Sequence, residues 1–171
     1  MTCASLTLHP SRKQAPTSHP SDGQKKVTMV RYATSSDLTA IYNLISMTIM
    51  DGHQLNKGQF AHTFVDQLNE ERHKLGVYET EDGKIVGFVG VNCTWQLHDG
   101  ARIAKVSELT VAEEYRNGDI RFKLLEWAVE VACEAGCETM TLNSRLGHDE
   151  SHKFYESYGF KKTHYRFDRT L

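Results

Sequence analysis

The sequence predicts an α/β fold built on a central mixed, mostly antiparallel sheet with helices on its faces. Two observations support this class. Short β-branched runs joined by a hairpin signal fill the first half, and strands alternate with amphipathic helices in the second half. The predicted element order is β-α-α-β-β-β-α-β-α-β, and no internal repeat interrupts it.

The first predicted elements are a short alternating strand at 29–33 and two amphipathic helices. The Ser-Ser-Asp run at 35–37 supplies an N-cap for the first helix, because such side chains accept hydrogen bonds from the free N–H groups of a helix start. We expect this helix to end at Gly52 and the second to end at about His73. The apolar positions at helical spacing are Leu38, Ile41, Tyr42, Ile45, Ile49, Phe60, Phe64 and Leu68.

A β-hairpin is predicted next, because an Asp-Gly pair at 82–83 separates two β-branched runs, 76–80 and 85–95. Gly87 and Gly90 lie inside the second run, where glycine indicates a bulge or a close backbone approach. The remaining predicted elements are a strand at 102–111, a helix from Ile120 closed by Gly136, a short strand at 139–142, a helix that contains Phe154 and Tyr158 and stops at Gly159, and a last strand at 160–167.

Composition and charge exclude several classes of protein. The 171 residues are 39% hydrophobic and 25% charged, which is ordinary for a globular domain, and no apolar run is long enough to span a membrane. The net charge of −2 and the lack of basic clusters after residue 28 argue against a nucleic-acid partner. We therefore expect neither nucleic acid nor membrane as a partner.

Residues 1–28 differ from the rest of the chain. They contain all three prolines and no aromatic residue, which predicts a disordered polar tail before a single domain at 29–171. The four cysteines (Cys3, Cys93, Cys133 and Cys137) form no C-x-x-C pair. This pattern favours reduced thiols in a cytoplasmic protein.

The most informative stretch is 109–125, where an apolar strand passes through a short turn directly into an amphipathic helix. Consecutive N–H groups at such a helix start, together with the helix dipole, favour a bound anion, and phosphates are the natural ligands. An ordinary strand-to-helix connection is the alternative interpretation of the same residues.

This stretch resembles the acyl-CoA-binding motif of the GCN5-related N-acetyltransferases (GNAT), in which Q/R-x-x-G-x-G/A wraps the CoA pyrophosphate. The segment His-Lys-Phe-Tyr-Glu-Ser-Tyr-Gly-Phe at 152–160 is similar to the family's F-Y-x-x-x-G-F signature. The resemblance covers 29–171 and implies a GNAT fold of six to seven strands with four helices. Among subfamilies it is greatest to the bacterial aminoalkylphosphonate N-acetyltransferases, on the segments 107–109, 123–128, 148–155 and 164–167.

The turn departs from the family motif at two places. Arg116 fits the motif and Gly118 stands one place early, but Asp119 and Arg121 replace the expected small residues. A side chain at 121 crowds the approach to pyrophosphate, and a carboxylate at 119 repels it. Arg121 could compensate by pairing with phosphate or with Asp119.

The resemblance implies roles for individual residues. The backbone of Leu109, Thr110 and Val111 would bind the pantetheine arm of acetyl-CoA, and an N–H near Val111 would polarise the thioester. Tyr155 would donate a proton to the departing thiolate; alternatively it is one more packed aromatic residue. The full predicted cofactor-binding set is Leu109, Thr110, Val111, Arg116, Asn117, Gly118, Asp119, Ile120, Arg121, Asn143 and Tyr155.

Glu108 is the second predicted catalytic residue, because a carboxylate beside the thioester could accept the proton of the amine. A salt bridge with Lys105, Arg102 or another cation is the alternative. Candidate cations for an anionic substrate are His98, Arg102, His53 and Arg166. His148 and His152 could share a helix face, but no third ligand has a convincing spacing, so no metal is expected.

Three functions remain open on the sequence. The first is transfer of acetyl from acetyl-CoA to a primary amine of a small molecule, with an aminoalkylphosphonate as one acceptor. The second keeps this chemistry with a polyamine, aminoglycoside or peptide amine. The third is a CoA-binding regulatory domain whose altered turn has cost it catalysis. Proteins of this family are often dimers, so a homodimer is a further expectation.

Overall fold

The computed structural model describes residues 29–48 and 55–170. Within them, strands and helices build one five-stranded sheet with helices on both faces. The elements in chain order are β1 (Met29–Tyr32), a 3₁₀ helix (Ser35–Asp37), α1 (Leu38–Thr48), α2 (Lys57–Asn69), β2 (His73–Glu79), β3 (Ile85–Gln96), β4 (Ala101–Val111), a second 3₁₀ helix (Glu113–Tyr115), α3 (Ile120–Glu134), β5 (Thr139–Leu142) and α4 (Asp149–Ser157).

The sheet follows the chain in the order β1-β2-β3-β4-β5. The first four strands pair antiparallel, whereas β5 pairs parallel with β4 because α3 crosses over between them. The predicted mixed, mostly antiparallel sheet is therefore confirmed. The predicted hairpin at Asp82-Gly83 is also present, with Gly83 at a φ of 84°.

The start of the first helical segment differs in detail from the prediction. The N-cap is Thr34, not the Ser-Ser-Asp run, and that run forms a 3₁₀ turn before α1. The Asp37 carboxylate accepts a hydrogen bond from the Thr34 N–H at 2.8 Å, and it forms an ion pair with the Arg31 guanidinium at the same distance. The carboxylate of Asp37 therefore closes a capping box and anchors β1 at the same time.

The second helix ends earlier than predicted. α2 stops at Asn69, and Glu70 already has the extended dihedrals φ −98° and ψ 120°. His73, the predicted helix end, instead opens β2 and pairs with Asn92 of β3. The β2 strand gains residues in this way because β3 is long enough to pair with them.

The predicted last strand at 160–167 is wrong, and the described sheet has five strands in place of six to seven. Residues 160–170 have no strand assignment, and every side chain from 161 to 170 is exposed. Tyr165 and Phe167 are 82% and 92% exposed. Alternation alone suggested a strand there, but no neighbouring strand supplies the hydrogen bonds that would hold it.

Each face of the sheet carries its own apolar cluster. One cluster joins α3 to the side chains of Val89, Val91, Val106 and Val111, and α4 packs against it. The other joins α1 and α2 to residues such as Val77 and Phe88. Strand alternation therefore assigns each β3 and β4 side chain to either the α3 face or the α1 face.

The two glycines of β3 fit the predicted interpretations. A Cβ on Gly87 would lie 2.8 Å from Leu124, so this glycine permits close packing of α3 on the sheet. The pairing register with β4 shifts between Gly90 and Val91, which is a β-bulge. Two other predicted features, Gly52 and the 1–28 tail, lie outside the described residues.

Candidate functional site

The candidate site begins where β4 and β5 separate. Their parallel pairing runs from Ile103–Thr139 to Val106–Leu142 and then stops, while β4 continues to Val111. Among the residues that the structure describes, no strand lies on the β5 side of 107–111, so this edge of β4 borders an open split. Asn143 follows β5 directly, so its exposed side chain lies at the mouth of this split.

The turn after β4 leads into the N-terminus of α3. The first helical hydrogen bond joins the Lys123 N–H to the Asp119 carbonyl at 3.0 Å, so the N–H groups of residues 120–122 point out of the helix start. Arg116 folds back and donates from Nε to the Val111 carbonyl at 3.3 Å. Asn117 and Gly118, which also belong to the predicted cofactor-binding set, lie in the same exposed turn.

The charged residues of the turn are partnered differently from the sequence expectation. The Asp119 carboxylate pairs with the Lys123 ammonium at 2.7 Å and not with Arg121. This interaction lowers the pKa of Asp119 and offsets the repulsion that a lone carboxylate would exert on a phosphate.

Arg121 stacks on α4. Its guanidinium lies 4.0 Å from the centre of the Phe154 ring and 5.1 Å from that of Tyr155. A guanidinium over aromatic faces is a cation–π contact, and Arg121 therefore joins the first turn of α3 to α4 beside the split.

Tyr155 projects from α4 among aromatic rings. Its ring meets Phe154 and Phe160 edge-on, with centroid distances of 5.4 and 6.0 Å. In the part of the chain that the structure describes, its hydroxyl has no hydrogen-bond partner. The aromatic surroundings fix the ring and leave the hydroxyl open to an incoming group.

Glu108 lies on the extended part of β4, and its partner is a neighbouring hydroxyl. Ser107 donates its hydroxyl hydrogen to the Glu108 carboxylate, and the Ser107 oxygen also lies 3.2 Å from the Gly90 carbonyl oxygen. The predicted alternative, a salt bridge to Lys105 or Arg102, is not formed among the described residues.

Burial raises the pKa of the Glu108 carboxyl, while the hydrogen bond from Ser107 and the charge of Lys105 act in the opposite direction. A carboxyl whose pKa is raised takes and gives protons closer to neutral pH than an exposed glutamate does. Such a group is suited to general base chemistry.

The two predicted catalytic residues lie on opposite faces of the sheet. Gly90 lies between Val89 and Val91, which face α3, so the Ser107 and Glu108 side chains that meet it are on the α1 face. Tyr155 packs with the α3 cluster. A group held in the split between β4 and β5 would thus be approached by Glu108 from one face and by Tyr155 from the other.

The structure does not bring the predicted substrate cations to this split. Arg102 is five residues before Ser107 on β4, roughly 16 Å away, and it donates to the Ala135 carbonyl at 2.8 Å. His98 pairs with Asp99 at 3.2 Å in the β3–β4 turn, and Arg166 pairs with Asp168 at 2.8 Å. His53 lies outside the described residues.

Histidines and cysteines contribute no metal cluster within residues 29–48 and 55–170. His152 contacts the Arg145 carbonyl oxygen at 2.9 Å, which holds the loop before α4. Burial, reinforced by neighbouring Cys93, raises the pKa of the Cys137 thiol to about 11. That thiol stays protonated near neutral pH and is a poor nucleophile.

Sequence reasoning missed Ser107 as a site residue. The sequence predicts a bulge or a close backbone approach at Gly90, but it does not predict that the Ser107 and Glu108 side chains are the groups that lie against this glycine. The missing signal is the bulge, which sets Ser107 and Glu108 side by side where strict alternation would set them on opposite faces.

The helices of the described residues include none that is long and apolar enough to cross a bilayer. Residues 39–160 match the model of the acetyltransferase (GNAT) family. An aminoalkylphosphonate N-acetyltransferase of Salmonella typhimurium is 30% identical over 144 residues, which is 83% of this chain and 90% of that protein.

Solved structures share the fold. A transcriptional regulator from Bacillus halodurans C-125 superposes with a TM-score of 0.76 at 24% identity, covering 85% of this chain and all of the other. Glucosamine-6-phosphate N-acetyltransferase from Arabidopsis thaliana gives a TM-score of 0.71 at 18% identity, covering 85% of this chain and 99% of the other. At these identities the likeness concerns the fold alone. The family match over 39–160 and the relative from Salmonella typhimurium show that the chain belongs to the GNAT family of acetyltransferases.

Proposed function

We propose that this protein transfers an acetyl group from acetyl-CoA to the primary amine of a small molecule, by direct attack of the amine in a ternary complex. The observation that carries the proposal is the open edge of β4 at 107–111, which the segment 112–119 connects to the N-terminus of α3. An extended amide chain ending in phosphates matches both parts of this surface.

The residues present fit acetyl-CoA in outline. The backbone of Leu109, Thr110 and Val111 would pair with the amide groups of the pantetheine arm as an added strand would. The N–H groups at the start of α3 would meet the pyrophosphate, with Arg116 nearby to supply charge. Asn143 at the mouth of the split would contact the arm from the β5 side.

The thioester supplies an acyl group that a neutral amine can attack. The Glu108 carboxylate accepts the proton that the ammonium must lose, directly or through a water molecule. An N–H near Val111 donates to the thioester oxygen as negative charge develops there. Tyr155 donates its phenolic proton to the departing sulfur. One N–C bond forms and one C–S bond breaks. The second proton, which the nitrogen loses after attack, passes through water to Tyr155 and replaces the proton given to sulfur.

Direct attack is preferred to a covalent acetyl-enzyme. The thiol of Cys137 has a pKa raised to about 11 and is partly buried, and Cys93 is buried. Cys93 and Cys137 are therefore poor acetyl acceptors. The exposed Cys133 lies near the C-terminal end of α3, away from the helix start that borders the split. An amine bound beside Glu108 would therefore attack the thioester itself.

The name of one relative supports a particular acceptor. The protein from Salmonella typhimurium is named for aminoalkylphosphonates, so 2-aminoethylphosphonate is the acceptor proposed for this chain. The test is a panel of small amines incubated with acetyl-CoA, with acetylated products detected by mass. We expect 2-aminoethylphosphonate to give the highest kcat/KM, and ethanolamine is the matched control without the phosphonate. Equal activity on both would remove the phosphonate from the proposal and keep the reaction.

A second candidate is a CoA-binding regulatory domain without turnover. The Arg121 side chain favours it, because it stands where the family motif carries a small residue. Calorimetric binding of CoA, with no acetylated amine formed anywhere in the panel, would support this alternative. Product formation would exclude it.

A further inference from the structure

We propose that Ser107 is a positioning residue for Glu108, switching its hydroxyl hydrogen between the Glu108 carboxylate and the Gly90 carbonyl as Glu108 loses and gains a proton. This inference rests on the proposed acetyl transfer, in which Glu108 is the base. The geometry that carries it lies on the α1 face of the sheet, at the bulge between β3 and β4.

The bulge places three groups together. Gly90 pairs with Glu108, and Val91 pairs with Val106, so Ser107 is the extra residue of β4. Its side chain consequently turns to the same side as that of Glu108. The Ser107 oxygen contacts the Glu108 carboxylate and lies 3.2 Å from the Gly90 carbonyl oxygen.

One hydroxyl hydrogen serves two acceptors, and this makes the contact a switch. A serine hydroxyl has one donor hydrogen and two acceptor lone pairs. When Glu108 is ionised, Ser107 donates to its carboxylate. When Glu108 has taken a proton from the amine, the new carboxyl O–H donates to the Ser107 oxygen, and the Ser107 hydrogen turns to the Gly90 carbonyl. Both protonation states keep a complete hydrogen-bond chain, so proton transfer leaves no orphaned group.

Gly90 is required for this arrangement. A Cβ at this position would lie 2.5 Å from the Glu108 carboxylate oxygen and 2.9 Å from the Ser107 oxygen. Any larger residue would displace both side chains. The absence of a side chain at Gly90 thus lets the Glu108 carboxyl group pack against the backbone of β3.

Few other charges act on this carboxyl group. Lys105 lies three residues before Glu108 on the same strand and, because of the bulge, on the same face, and its charge favours the ionised form. The buried thiol of Cys93 lies with Val89 and Val91 on the α3 face. On the α1 face, α1 contributes Tyr42, whose hydroxyl donates to the Leu55 carbonyl at 3.1 Å. Neither β5 nor α1 contains an acidic or basic residue. Ser107 is therefore the contact through which a single substitution can alter the titration of Glu108 without altering a charge.

The switch has a measurable consequence. Ser107→Ala removes the donor to the carboxylate, so the acid limb of the pH profile of kcat/KM should move to higher pH. At a pH well down that limb kcat/KM should fall about tenfold, the lower end of the effect expected from one hydrogen bond to a charged group. Above the limb the variant should approach the wild-type rate. A purely structural serine would change the rate at every pH alike.

The experiment compares wild type with Ser107→Ala and Ser107→Thr, with Ser36→Ala as the matched control. Ser36 belongs to the first 3₁₀ helix and bonds the Thr34 hydroxyl, so its loss removes a hydroxyl elsewhere. The readouts are the pH profile of kcat/KM with the best acceptor and the titration of the Glu108 carboxyl carbon by NMR, assigned with Glu108→Gln. In Ser107→Ala we expect the acid limb of the kcat/KM profile and the NMR titration midpoint of Glu108 to move to higher pH. In Ser107→Thr and Ser36→Ala we expect wild-type behaviour.

Two outcomes separate this inference from the proposed function. Identical NMR titrations of Glu108 in wild type and Ser107→Ala would overturn the role of Ser107, whatever the activity. An upward NMR shift in a protein that acetylates no amine would support the Ser107 switch and overturn the proposed function.

Discussion

The Arg121 guanidinium lies 4.0 Å from the centre of the Phe154 ring, and this contact joins the start of α3 to α4. Arg121 takes a place that the family motif gives to a small residue, and Phe154 directly precedes the proposed proton donor Tyr155. Arg121, which departs from the motif, therefore forms a structural link between the turn proposed to bind phosphate and the helix that carries Tyr155.

Removing either partner of this link should loosen α4. A double-mutant cycle with Arg121→Ala and Phe154→Leu, followed by chemical denaturation, should give a coupling free energy of about 0.5–1 kcal/mol. Hydrogen exchange of the α4 amides should be faster in both single variants. Additive effects, with a coupling free energy near zero, would contradict a direct Arg121–Phe154 interaction.

Tyr155→Phe should lower kcat by about 10²-fold, because the departing sulfur loses its proton donor. The ring contacts with Phe154 and Phe160 remain, so the affinity for CoA measured by calorimetry should change little. Tyr165→Phe is the control, since Tyr165 is 82% exposed outside the helices and strands. Unchanged kcat in Tyr155→Phe would remove Tyr155 from the mechanism.

Glu108→Gln should lower kcat/KM by about 10²-fold at neutral pH and abolish the acid limb of the profile. It should also stabilise the protein. The folded-state pKa of Glu108 is raised by burial, so its contribution to the free energy of unfolding is favourable at low pH and is lost as pH rises through that pKa.

The Tm difference between Glu108→Gln and wild type should accordingly be small near pH 4, where glutamate in the unfolded chain is about half protonated, and should grow toward neutral pH. Thermal unfolding across this range measures it. A variant that loses activity and is less stable at every pH would show that Glu108 acts through structure.

Asp37 should be important for stability and irrelevant to chemistry. Its side chain is 7% exposed, and the Arg31 guanidinium lowers its pKa, with support from the Thr34 N–H. Asp37→Ala should cost about 2 kcal/mol, because it removes a helix cap and one of the two carboxylate partners of Arg31, whose bond to Glu79 at 2.6 Å remains. The exposed control Glu81→Ala should stay within about 0.5 kcal/mol.

The pH dependence of Asp37 has the opposite sign to that of Glu108. Because the folded-state pKa is lowered, the stabilisation by Asp37 is present above the ordinary carboxyl range and is lost as pH falls through the lowered pKa. Acid unfolding of wild type should therefore be steeper than that of Asp37→Ala. Parallel acid transitions in the two proteins would contradict the ion pair.

The elements that the sequence predicted well are those with local signals. The Asp82-Gly83 hairpin and the close of α3 at Gly136, with a φ of 72°, depend on residues that a turn or helix end requires. The strand at 160–167 was predicted from alternation alone, and alternation does not say whether a neighbouring strand exists. The predicted end of α2 was wrong because His73 pairs with Asn92 of β3, a strand that is distant in the sequence.

The candidate site was predicted unevenly for the same reason. The backbone of residues 109–111 and the turn to α3 follow from a continuous stretch, so their arrangement could be anticipated. The contacts of Glu108 and Arg121 depend on side chains distant in the sequence or on a register shift, which local pattern does not encode. Arg102, a predicted substrate cation, instead binds the end of α3 through the Ala135 carbonyl.

The most direct test of this account is acetyl transfer to 2-aminoethylphosphonate, with the acetylated product and released CoA quantified together. The account predicts one CoA released for each N-acetylated product and no acetylated protein by intact mass. CoA binding without any acetylated amine, across phosphonate, polyamine, aminoglycoside and peptide acceptors, would contradict it.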